Sequence, residues 1–213
     1  ASTRALALRS LLWIAVERGG ETVWVTNGTY NITDQIYITN GIAVRSVNGA
    51  DVTTVQRTGT SEIRIFQLTH AGAVLDGFTI RNGYGVSGAG VYMTAGTVAN
   101  CDVRDNLVKN WAAMNGVGIY MAGGTVTNCT LRQNSSSSFF NGFGGGVYMT
   151  GASSLVENCT IVDNLCSNDG GGIYIAAGSV SNSIVYFNNA PVSYTHLRAH
   201  ETPEHLVCRL LLE

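Results

Sequence analysis

Gly144-Gly145-Gly146-Val147-Tyr148-Met149, then Asn158-Cys159-Thr160-Ile161, then Asn164 form one line of a pattern that recurs between residues 74 and 189. Its opening returns as Gly90-Val91-Tyr92-Met93, Gly118-Ile119-Tyr120-Met121 and Gly172-Ile173-Tyr174-Ile175. Its middle returns as Asn100-Cys101-Asp102-Val103, Asn128-Cys129-Thr130-Leu131 and Asn182-Ser183-Ile184-Val185. A closing asparagine follows each time, at Asn106, Asn134, Asn164 and Asn188. The tyrosines are spaced by 28, 28 and 26 residues, and the cysteines by 28 and 30. A period in the twenties marks a solenoid, whose single unit cannot bury its apolar face alone.

Within each unit the apolar residues alternate, Val91 and Met93 around Tyr92 and Cys101 and Val103 around Asp102. Period two means strand. The intervening segments are too short for a helix packed on a sheet, and leucine-rich and ankyrin patterns are absent. The reading is an all-β chain, a right-handed parallel β-helix in which each unit is one coil, stacked at about 4.8 Å. Val91, Ile119, Val147 and Ile173 then form one inward column, and Met93, Met121, Met149 and Ile175 a second. Val98, Val126, Val156 and Val180 form a third, and Cys101, Cys129, Cys159 and Ser183 a fourth. Tyr92, Tyr120, Tyr148 and Tyr174 point outward, with Asp102, Thr130 and Thr160. The asparagines before the cysteines sit at bends, where Asn tolerates a left-handed backbone and its amide can bond to the next coil. The glycines before the tyrosine strands relieve crowding at another corner. The cysteines read as small buried hydrophobes, because parallel Cβ vectors at strand spacing do not suit a disulfide.

With G-G-G-[VI]-Y and N-C-T-[IL]-x-x-N as its motifs, the chain resembles the pectate-lyase-like right-handed β-helix superfamily. More narrowly it is similar to the non-catalytic repeats of bacterial surface proteins, including the chlamydial polymorphic membrane proteins with G-G-A-[IVL] and F-x-x-N. Gly144-Gly145-Gly146-Val147 and Gly170-Gly171-Gly172-Ile173 match the first motif with Gly for Ala. Val103, Leu131 and Ile161 stand in place of Phe in the second, ahead of Asn106, Asn134 and Asn164. The resemblance covers roughly residues 21–190. It implies a secreted, cell-surface or outer-membrane protein with a structural, adhesin-like or glycan-binding role, partnered by a polysaccharide or a host or cell-surface glycan. The alternative it implies is a fragment of a polysaccharide lyase or glycoside hydrolase whose catalytic coils lie outside this chain.

Composition narrows the classes. The 213 residues suit one domain, with 26 glycines, only 2 prolines and 12% charged residues. The formal net charge is −2, and Lys109 is the single lysine, so the basic footprint of a nucleic-acid binder is missing. No run approaches the roughly 18 apolar residues of a membrane span. A monomer without cofactor or metal is expected.

The chain divides into three parts. Residues 1–20 hold an expected capping helix, with Leu8, Leu11, Leu12, Ala15 and Val16 on one face and Gly19-Gly20 at its end. Such a plug covers an otherwise open edge. The absence of an initiator Met reads as a chain that begins inside a larger reading frame. Residues 21–190 form the β-helix, with coils expected to be looser before residue 63. Residues 191–213 break the repeat and resemble translated sequencing-adapter read-through, or else form an irregular or helical cap. His196, His200, Glu201 and His205 lie there but lack the H-E-x-x-H spacing of a zinc site, since position 204 is Glu.

No catalytic constellation is expected. Asp105 and Asp163 share a column two coils apart, a spacing compatible with an inverting acid pair but more simply that of solvated surface acids. Arg81, Arg104 and Arg132 read as a partial basic ladder in which only Arg104 and Arg132 align. The candidate ligand-binding residues are the stacked Tyr92, Tyr120, Tyr148 and Tyr174, with Trp111, Phe139 and Phe140 on the variable loops. A flat amphipathic tyrosine face suits a sugar chain.

Overall fold

The computed structural model describes residues 22–85, 87–108, 115–136 and 142–190. The expected capping helix over 1–20, the tail over 191–213, and Trp111, Phe139 and Phe140 lie outside the described residues.

The described chain is a parallel β-solenoid. The first coil runs Thr22–Val25, Gly28–Ile32 and Ile36–Ile38, one strand on each of three faces. Each later coil lays its strands on the same three faces, in two sheets of seven strands and one of six. Six coils are thus complete, and Ser179–Ser181 and Ile184–Tyr186 begin a seventh. A two-stranded ladder pairs Leu107–Val108 with Ser135–Ser136 beyond the second face.

The period-two pattern places the side chains as the repeat predicts. Val91, Ile119, Val147, Met93, Met121, Met149, Val98, Val126 and Val156 are fully buried, as are Val103, Leu131 and Ile161. Cys101, Cys129 and Cys159 are buried free thiols in one column. The Cys101 amide donates to Cys129 Sγ at 3.4 Å, and each thiol donates to the carbonyl two residues before it at 3.1 Å. Hydrogen bonding to Cys101 and Cys159, followed by burial, pushes the Cys129 thiol well up, which keeps it an inert core group. One expectation is corrected: the coils before residue 63 are not looser. Thr53–Arg57 pairs with Gly28–Ile32 in register over five residues, because Val55 supplies the inward anchor that the polar spelling of this segment hides.

The bends divide into two types. Asn100, Asn128, Asn158 and Asn182 all carry φ between 43° and 53°, the left-handed conformation expected of them. Their amides meet across coils only in part. Asn182 donates to Asn158, and Asn48 donates to Asn27 at 2.7 Å at the same corner, while Asn100 donates to Asp76 at 2.8 Å.

The continuous amide ladder belongs instead to the closing column. Asn106, Asn134 and Asn164 are at most 1% exposed. Nδ2 of each donates to Oδ1 of the next at 2.9 Å, ending on Asn188. The same Oδ1 atoms accept the backbone amides of Asn106, Asn134 and Asn164 at 2.9–3.3 Å. The second Nδ2 hydrogen goes to a strand carbonyl one coil back, such as Val103 for Asn134 at 2.9 Å. The residue before each closing asparagine turns the chain with positive φ, at Asp105, Gln133, Asp163 and Phe187.

The glycine column has a steric reason. A Cβ on Gly118 would stand 2.6 Å from the carbonyl oxygen of Gly146 in the next coil.

Two substitutions separate the two asparagine columns. Asn134→Ala strands the Asn106 amide and the Val103 carbonyl in the core and is expected to cost about 3 kcal/mol in urea unfolding. Asn128→Gly keeps the left-handed turn and is expected to change stability by less than about 1 kcal/mol in the same assay.

Candidate functional site

The third face carries one outward residue per strand, because each strand there is three residues long with both ends turned inward. Register lines these up as Tyr37, Gln67, Tyr92, Tyr120, Tyr148 and Tyr174. The four predicted tyrosines are therefore brought together. Tyr92 and Tyr120 stack with centroids 4.8 Å apart and planes 7° from parallel. Tyr148 and Tyr174 stack at 5.2 Å and 15°, and the Tyr120–Tyr148 step is tilted at 5.4 Å and 31°. The rings stay half-buried, so each keeps an edge toward solvent. The stack spans three coil steps, on the order of 15 Å.

Two residues complete this face that sequence reasoning passed over. Phe143 leaves the variable segment before the glycines and lies 4.7 Å from the Tyr174 centroid and 6.4 Å from that of Tyr148. Arg64 sets its guanidinium carbon 4.6 Å from the Tyr92 centroid and donates from Nη1 to Gln67 Oε1 at 3.1 Å. Gln35 Nε2 donates to the same oxygen at 2.7 Å. The signal for Phe143 was its place directly before Gly144-Gly145-Gly146; for Arg64 it was its place just ahead of the strand holding Gln67, at the head of the tyrosine column.

The acidic and basic candidates are used differently from the sequence expectation. On the second face Arg81, Arg104 and Arg132 occupy one row, so Arg81 is in register and not shifted. Arg132 grips Asp102 through Nε at 3.1 Å and Nη2 at 2.9 Å. This bond raises the Arg132 guanidinium above the ordinary arginine range. Arg104 meets Asp102 at 3.0 Å through Nε and Asp105 at 2.5 Å through Nη1. Arg81 donates to Gln56 Oε1 at 2.7 Å, and Gln56 donates on to Asn31 at 2.7 Å. Asp105 thus serves a left-handed bend and an ion pair. On the first face Asp76 is bound by Arg45 and Asn100. Among the described residues, no group of three or more His, Cys, Asp or Glu is placed to hold a metal ion.

The stack also sets the chemistry of its own hydroxyls. Burial, then the neighbouring Tyr120 and Tyr174, raise the Tyr148 hydroxyl above the ordinary tyrosine value, since each neighbouring tyrosinate would repel the next. A raised folded-state value means that the folded chain holds this proton more tightly than the unfolded chain. The linked stability is present below the unfolded tyrosine pKa of about 10 and is lost as pH rises through the folded value. In alkaline unfolding curves the wild type is expected to lose stability more steeply above that pH than Tyr148→Phe, and tyrosinate absorbance is expected to show one late-ionising group that this variant removes.

Residues 64–199 match a protein family described as a right handed beta helix region. The match covers more than half of the 213 residues. No curated protein and no solved structure matches the chain.

Proposed function

The chain belongs to the right-handed β-helix family, and on that premise we propose that it is a secreted or cell-surface scaffold that presents its tyrosine face to a polysaccharide or a cell-surface glycan. The observation that carries this reading is the unbroken ring stack of Tyr92, Tyr120, Tyr148 and Tyr174. Sugar rings expose apolar C–H faces and polar rims. A row of tyrosines offers flat apolar area with a hydroxyl at each edge. The coil step is close to the rise of one sugar unit in an extended chain, so successive rings suit successive sugars.

Rigidity adds to this. The face is one parallel sheet whose strands are paired on both sides through most of its length. Binding there orders few side chains, so little of the contact energy is lost to entropy. Of the two carboxylates an enzyme reading would draw on, Asp105 and Asp163, Asp105 is held by Arg104, which favours a binding role over a hydrolytic one.

Glycan-array retention tests the proposal. Tyr120→Ala and Tyr148→Ala are each expected to weaken retention at least about tenfold, the level of an interface anchor. Tyr120→Phe, which keeps the ring, is expected to retain most of it. Retention that both alanine variants leave unchanged would overturn the tyrosine face as the binding surface.

A further inference from the structure

Among the described arginines, Arg64 and Arg81 bond to a side-chain amide oxygen and to no described carboxylate, and of these two Arg64 is also held over a ring. Arg45, Arg104 and Arg132 meet carboxylates, and Arg57 donates to three backbone carbonyls. Arg64 has one side-chain acceptor, the amide oxygen of Gln67. Its Nε is buried with no hydrogen-bond partner, and none of the ion pairs among the described residues involves it. Tyr92 presents one ring face to Tyr120 at 4.8 Å, so the guanidinium at 4.6 Å covers the other and ends the stack. A cation is therefore fixed at one end of an aromatic strip, held over a ring and, among the described residues, without a counter-charge.

We infer that Arg64, with Gln67 beside it, is an anchor for an anionic substituent, carboxylate or sulfate, on a saccharide whose rings lie along Tyr92 and Tyr120. This deepens the glycan-binding reading and rests on it. The guanidinium fork suits a planar carboxylate or a sulfate face. Cation–π contact with Tyr92 and the bond to Gln67 hold the fork before the ligand arrives, so less freedom is lost on binding. Burial pushes the guanidinium below the usual arginine range, an effect the nearby Tyr92 and Tyr37 oppose. An arriving anion would relieve that desolvated charge. The site also gives the face a direction, since the cation stands at the Tyr92 end and Phe143 at the Tyr174 end.

The test uses one sugar backbone in three forms: cellotetraose, its C6-carboxylated form and its C6-sulfated form. Titration calorimetry with the whole chain, at fixed ionic strength, reads all three. The wild type is expected to bind at least one charged form about tenfold more tightly than the neutral form, and which charged form gains identifies the substituent. Arg64→Gln is expected to erase the preference, binding the charged forms no more tightly than that same variant binds the neutral form; Arg64→Lys, which keeps the charge but loses the fork, is expected to retain part of it. Thermal unfolding of each variant separates a lost charge from a lost fold. Equal wild-type binding of the three forms, or a preference that survives in Arg64→Gln, overturns the anchor and leaves the tyrosine face standing. Binding of none of them overturns both.

Discussion

The buried asparagine ladder is the constraint on which the rest of the structure depends. A primary amide in the core must place two hydrogens and satisfy an oxygen, and leaving any of them unbonded costs as much as a strong contact gives. Asn106, Asn134, Asn164 and Asn188 solve this together: the first three each use the next coil's amide and a strand carbonyl behind it, and Asn188, where the ladder ends, uses the carbonyls of Ile161 and Tyr186. That solution exists only if every coil returns to the same height at the same residue. In-register stacking, three continuous sheets and the aliphatic columns then follow. Variation in coil length falls in the turns, chiefly in the segments between a closing asparagine and the next glycine run, with two further residues in the turn between Met149 and Ser154. Those segments border the tyrosine face, which is how Phe143 comes to lie beside Tyr148 and Tyr174.

Stacking in register also dictates which side chains the outer faces can carry. Identical residues meet at about 4.8 Å, where like charges repel and aromatic rings attract. The third face answers with tyrosine. The second face carries three arginines in one row, and this is tolerated because Asp102, in the neighbouring row, binds both Arg104 and Arg132. Arg81 instead continues into a chain of side-chain amides through Gln56 to Asn31. The low charge content of the chain is thus a consequence of its geometry.

The two outer faces differ in what remains for a ligand. Ion pairing has already satisfied the second face, and its hydrogen bonds run from coil to coil within the protein. The third face keeps its ring edges and hydroxyls toward solvent, and Arg64 at its end is held by a ring and an amide and, among the described residues, by no acid. Recognition chemistry therefore concentrates where the repeat is most regular, with its asymmetry supplied by residues at the two ends of the stack.

Much of this was legible in the sequence. Alternation of period two is a local property, so Val91, Met93, Cys101 and Val103 announced their burial and Tyr92 its exposure without knowledge of any partner. Equal spacing then implied that the tyrosines share a face. Which asparagine column would form the continuous ladder was not legible. Both columns recur with similar periods, and only the path of the chain sends Asn134 inward while Asn128 turns at the surface. The strand Thr53–Arg57 was hidden because its outward residues are polar and one valine marks its core side. The approach of Arg64 to Tyr92 and of Phe143 to Tyr174 joins irregular residues to the repeat across coils. Sequence alone determined the coil and its two sides, since both follow from neighbours along the chain. Tertiary structure decided the amide ladder, the neutralised acids and the cation at the end of the stack, since each depends on register between residues more than twenty positions apart.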